Sequence, residues 1–196
     1  MTRWYGAALA PILFWWGTSA RAADVATIGC VGTLLNQATA NAISDDFQAS
    51  LERVQSGLAD PLAQKGSASD PAVRAEVDKA VLRCGELNGW TVAARAAASE
   101  YTLKKLALPL FEAAVLNDGL DPGQIARLST GLSGWRGGEE GPLSEHEKNR
   151  RIAAAMSMRL LRAGISLQTP QQVRDVYALA LWHVHLDDTR TDFIAA

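Results

Sequence analysis

Apolar residues recur along this chain at three- and four-residue steps, and nowhere do they alternate with period two long enough to require a strand. The longest such run is Trp90 to Leu116, where Val92, Ala96, Leu103, Leu106, Leu110 and Ala113 share one helix face. Glu100, Lys104, Lys105 and Glu112 gather on the other side, with Tyr101, Leu108 and Val115 among them. A helix apolar over more than one stripe is covered on two sides, as in the middle of a bundle. Pro109 is expected to kink this helix or divide it at Leu108.

The flanking segments carry their own stripes. Ile28, Val31, Leu34 and Leu35 form one, and Phe47, Leu51, Val54 and Leu58 another. The polar join at Asn41 to Asp46 predicts a break there, with Ser44 placed as a cap. Asp70-Pro71 opens a helix whose Val73, Val77, Val81 and Cys84 share a face, and Gly89 ends it. Leu120-Asp121-Pro122-Gly123-Gln124-Ile125 is the clearest local start signal, for a short helix through Leu132 that Gly134 closes. Ser144 and Glu147 form a capping box before Ile152, Met156, Leu160 and Ala163. Arg159 and Arg162 complement the dipole in the last turn, and Gly164 stops the helix. Thr169-Pro170-Gln171-Gln172 is a second capping box. The final helix uses Val173, Val176, Tyr177, Ala180 and Val184 and is expected to end near Asp187-Asp188. The pattern predicts an all-α fold, a compact bundle of five to seven helices in a single domain over residues 23–196.

Residues 1–22 read as a cleaved secretory signal: Arg3, then an apolar run from Trp4 to Trp16, then Ala20-Arg21-Ala22. The run is shorter than the roughly 20 apolar residues that cross a bilayer, so no membrane span is expected after cleavage. Export gives the two cysteines a meaning, because in an oxidising compartment a lone pair of thiols joins. A Cys30–Cys84 disulfide is therefore expected, in a periplasmic or secreted protein. An unbroken helix from Cys30 to Leu58 would span about 42 Å, against about 20 Å from Pro71 to Cys84. A plain hairpin would misalign the sulfurs. Either the first segment folds back near Ser44, or the loop at 59–69 runs alongside.

Charge limits function. The formal net charge is −2, near −4 once Arg3 and Arg21 leave with the signal. A sequence-independent grip on nucleic acid needs a basic surface, so no nucleic-acid partner is expected. No nucleophile elbow, phosphate loop, dinucleotide fingerprint, zinc-protease helix or calcium loop is present. His183-Val184-His185-Leu186-Asp187-Asp188 resembles in part the H-x-H-x-D-H run of the metallo-β-lactamase family. It departs at Asp188, where that family has histidine, and the chain is assigned to no family. On a helix His183 and His185 point about 200° apart, while His183 and Asp187 share a face but make only two ligands. They read as residues of a helix C-terminus. Glu145-His146-Glu147, beside Glu139 and Glu140, reads as solvated capping residues, and Lys148, Arg150 and Arg151 as a solvated basic face. No catalytic, cofactor or metal residue is assigned.

The reading that follows is an exported, non-enzymatic envelope protein that binds another protein, through a groove between helices or through the loop at 137–142. A small-ligand or metal carrier using His183 and Asp187 is the alternative, and an unrecognised hydrolase the third.

Overall fold

The computed structural model describes residues 23–55, 70–121, 123–124, 145–162 and 164–196. The signal expected at 1–22, the loop expected at 59–69, the short helix expected from Ile125 to Leu132, Gly134-Trp135 and the loop expected at 137–142 lie outside the described residues. Within them the chain is all-α, with no strand. A 3-10 turn at Val25–Thr27 leads into α1 (Cys30–Leu34), α2 (Gln37–Gln55), α3 (Pro71–Asn88), α4 (Val92–Asn117), α5 (Glu145–Arg162) and α6 (Pro170–Ala195). No helix among these residues is long and apolar enough to cross a membrane.

Helices α4 and α6 form the most extensive pairing and run antiparallel. Three ties fix that direction. At one end the Thr91 hydroxyl donates to the Ala196 carbonyl at 3.1 Å. Midway the Trp182 indole N–H donates to the Lys104 carbonyl at 2.7 Å. At the other end the Gln172 amide donates to the Asp118 carbonyl at 2.7 Å. Around this pair the buried side chains form two clusters. One gathers Ile28, Val31, Ile43, Val77, Trp90, Ala98 and Phe193 at the start of α4. The other gathers Phe111, Val115, Leu120, Met156, Ile165 and Leu179 at its end. Phe47 touches both clusters and meets the Trp182 ring edge-on at 5.5 Å. Trp182 in turn stacks on Phe111 at 4.5 Å.

Local chemistry sets most helix ends where the sequence places them. Ala72 N–H donates to Asp70 at 2.8 Å, and Gly89 takes the left-handed cap at φ 66°. Asp121 and Gln124 exchange backbone-to-side-chain bonds at 2.9 and 3.0 Å, as do Thr169 and Gln172 at 3.2 and 3.1 Å. Gly164, also at φ 66°, closes α5 behind Arg159 and Arg162.

Four expectations need correction. First, the break in the N-terminal segment falls at Leu35-Asn36 rather than near Ser44. Asn36 is the cap, its side chain accepting from Thr39 N–H at 2.8 Å. Ser44 sits inside α2 and its hydroxyl reaches the Leu106 carbonyl at 3.5 Å instead. Second, α4 begins after a Thr91 cap and continues through Pro109 as one helix. The carbonyl that Pro109 leaves without a donor belongs to Lys105, and both residues face solvent, so its loss is tolerated.

Third, the buried stripe of α4 is rotated from the expected one. Ala94, Ala97, Ala98, Thr102, Leu103, Ala107, Phe111 and Val115 are inside. Val92 is 83% exposed, Ala96 and Ala113 are exposed, and Val115, expected among the charges, is 0% exposed. Fourth, α6 does not stop at Asp187-Asp188 but runs to Ala195, and Val173 at its start is exposed. No glycine or proline follows the two aspartates. One and a half turns beyond them Phe193 is wholly buried against Trp90, edge-to-face at 5.1 Å. That anchor holds the last turns helical.

Candidate functional site

The longer α6 moves His183 and His185 from a helix end to a helix interior. The Thr189 and Thr191 hydroxyls donate back to the His185 and Asp187 carbonyls at 2.7 and 2.9 Å, so those carbonyls are not free helix ends. The expected role for the histidines, meeting the carbonyl end of the helix, is therefore corrected. Burial holds His183 below the usual imidazole range, and the charge of Glu112 pulls it back in part. Among the described residues no group of three or more His, Cys, Asp or Glu side chains converges as a metal site.

In α5 the Glu147 carboxylate accepts from Arg150 at 2.9 and 3.0 Å and from Arg151 at 3.0 Å. These two guanidinium groups, Arg150 before Arg151, hold its pKa down to about 2. A carboxylate so acidic is a weak base, which leaves it an ion-pair partner rather than an acid–base group. The small basic face is thus partly neutralised from within. The side chains of Glu145, His146 and Lys148, and residues Glu139, Glu140 and Ser144, lie outside the described set.

The disulfide joins Cys30 and Cys84, with their Cα atoms 6.0 Å apart, and so ties α1 to α3. The break at Leu35-Asn36 makes this possible: Cys30 sits on a helix of its own, free of the length of α2. Beside the bond a cleft of about 170 Å³ opens between the α1–α2 corner and α3. Leu34 and Leu35 line one wall, and Glu76, Lys79 and Arg83 the other. Glu76 and Lys79 pair at 2.6 Å across one turn. Arg83 has no carboxylate partner among the described residues. Thr39 lines the cleft while only 8% exposed, and its hydroxyl is engaged by no described residue.

Sequence reasoning missed this cleft, although half of its signal was present. Glu76, Lys79 and Arg83 follow one flank of α3 at helical spacing. Arg83 precedes Cys84, and Leu34 lies one turn beyond Cys30. Once the two sulfurs are joined, those neighbours must face each other. The missing half was the corner at Asn36, which sets the angle of the second wall.

A second grouping also went unseen. Asp118 ends α4 and lies beside Asp175 in the second turn of α6. Burial raises the Asp118 pKa, the neighbouring Asp175 carboxyl adds to the rise, and Arg174 opposes it. One Asp118 oxygen is buried with no hydrogen-bond partner. Asp175 meanwhile accepts from the Gln171 amide at 2.6 Å. Two carboxyls placed together at the negative end of a helix are poorly served as two charges.

No protein-family model matches this chain, and searches of characterised proteins and of solved structures found no match either.

Proposed function

We propose that this is an exported, non-enzymatic helical protein of the bacterial cell envelope, a single domain over residues 23–196, that acts by binding another protein on the face formed by α1 and α3. The observation that carries the reading is the Cys30–Cys84 bond set against an open cleft. A disulfide supports an oxidising compartment. Its position supports a binding role, because it pins the two walls of a surface depression to each other. Recognition surfaces gain from such preorganisation, since less freedom is lost when a partner docks. Leu87, exposed on the same flank of α3 as Arg83, extends the apolar part of that face.

Photo-crosslinking in intact cells tests this, with the reactive residue placed at Leu87 and, for comparison, at exposed Met158 on α5. A discrete protein partner captured from Leu87 and not from Met158 is expected. The same preparation, weighed without reduction, should lack residues 1–22 and show no thiol open to alkylation. An intact initiator end with two freely alkylated thiols would overturn the export half of the reading, and identical capture from both positions would overturn the binding half.

A further inference from the structure

We propose that the cleft beside the disulfide receives the C-terminal residue of a partner chain, an apolar residue whose free carboxylate meets Arg83. This rests on the binding reading above and names the chemistry of the partner. Three features of the cleft converge on it. Its volume of about 170 Å³ is well below the several hundred that a drug-sized ligand occupies, so it suits one residue. Its walls divide by character: Leu34, 42% exposed, and Leu35 give an apolar side, while Lys79 and Arg83 give a cationic side. Glu76 already engages Lys79, which leaves Arg83 as the cation with unspent hydrogen-bonding capacity. A guanidinium takes a carboxylate by two parallel bonds, the strongest neutralisation open to it.

The third feature is Thr39. Thr39 is 8% exposed as a residue, and its hydroxyl, bonded to no described residue, opens on the cleft. Other helical threonines here satisfy themselves: Thr102 and Thr189 donate to the carbonyl four residues back at 2.9 and 2.7 Å. Thr39 makes no such bond and lines the cleft, where its hydroxyl is free to donate to an incoming acceptor oxygen. A chain end is the residue that carries a carboxylate and an apolar side chain on one α-carbon. That spacing fits a small cleft whose apolar and cationic walls face each other.

The test uses the oxidised full chain and the peptide acetyl-Gly-Ser-Ala-Leu with a free C-terminus, followed by amide chemical shifts up to about 10 mM peptide. Saturable shifts on α1, the start of α2 and α3 are expected. Arg83→Gln should weaken binding about tenfold or more, because a charge-assisted pair is lost. Thr39→Val should weaken it roughly threefold. Glu76→Gln should strengthen it by about twofold, because it frees Lys79 and removes a competing carboxylate. The Glu76 side chain is 46% exposed and its one described partner is Lys79, so that last variant reads the site with little risk to the fold.

Equal binding of the C-terminal amide would overturn the carboxylate. Equal binding of N-acetyl-leucine would reassign the cleft to small free acids, and equal binding of an amidated peptide with an internal glutamate would remove the chain end. Silence of the acid peptide, with a partner still captured from Leu87, would sink this proposal and leave the binding reading standing.

Discussion

At the start of α4 the core is closed by a covalent bond, and at its end by capping side chains and branched apolar residues. Both ends use the same two helices, α4 and α6. At the first end α2 and α3 are long, but two of the added elements are short: the five-residue α1 and the 3-10 turn contribute Ile28 and Val31, and the Trp90 indole N–H donates to the Thr27 hydroxyl at 3.0 Å. A helix of five residues has no independent stability, since one turn hardly offsets the entropy of fixing it. The disulfide supplies what length does not. At the second end α5 is 18 residues long and carries Met156 inward, and the turn after α4 is closed by Leu120 and the Gln172 tie to Asp118. Covalent closure appears where the element it holds is too short to hold itself.

Phe193→Ala should have the largest effect, because the ring is wholly buried between Trp90 and the start of α4. A loss of about 3–5 kcal/mol is expected. For a chain of this size that lowers Tm by roughly 10 °C or more, read by thermal melting. Replacing both cysteines by alanine should remove about 3–4 kcal/mol by freeing a closed loop that spans a sequence separation of 54. Here the sharper measurement is where protection falls. Amide exchange should accelerate in α1 and α3 and change little in the second half of α4 and the first half of α6. A uniform loss across both ends would show that the two clusters unfold as one and would erase the contrast.

The two ends were unequally legible in the sequence. Where structure is set by a cap, a few adjacent residues decide it, and Asp70, Gly89, Asp121 with Gln124, Gly164, and Thr169 with Gln172 do what their spacing predicts. Where structure is set by packing, the sequence offered near-equal choices. In α4 eight of the twenty-six residues are alanine, and alanine is at home both inside and outside. The stripe could rotate with little change in apparent pattern. Asn36 and Ser44 are equally good caps, and the choice between them is made by the pull of Cys84 on Cys30 and by the Ser44 contact with Leu106. Likewise Asp187-Asp188 lacks any breaker, and the anchoring of Phe193 decides against a stop. The disulfide was readable from composition. The cleft was not, because it exists only after the corner at Asn36 and the sulfur bond have set its two walls.

Between the two ends stands Trp182, stacked on Phe111 and bonded to the Lys104 carbonyl. Trp182→Phe keeps an aromatic ring but deletes the indole N–H, and a loss of about 1–2 kcal/mol is expected. If the clusters are energetically separate, this variant should lower the cooperativity of urea unfolding as well as its midpoint. An unchanged slope with a lower midpoint would mean that Phe47 and the remaining apolar contacts suffice to couple them.

The smallest expected effects separate the ends by pH. Asp118, at the far end of α4, has its pKa raised above 3.8 in the folded chain. The folded state therefore keeps a proton that the unfolded state releases. The resulting stability is fully present below about 3.8 and is lost as pH rises through the folded value. His183 has its pKa lowered below 6.5 by burial, so its contribution has the opposite sign. Above about 6.5 it costs nothing, and stability falls as pH drops through the folded value, because the unfolded imidazole takes a proton first. Asp118→Asn should thus raise Tm at pH 7 by roughly 1–3 °C and make little difference at pH 3. His183→Gln should leave Tm at pH 8 nearly unchanged and flatten its decline between pH 6.5 and the folded value. Melting curves from pH 3 to pH 8 on both variants read the two signs side by side. If Asp118→Asn instead lowers Tm at pH 7, the carboxylate is stabilising as a charge there, and Arg174 rather than Asp175 governs that end of the molecule.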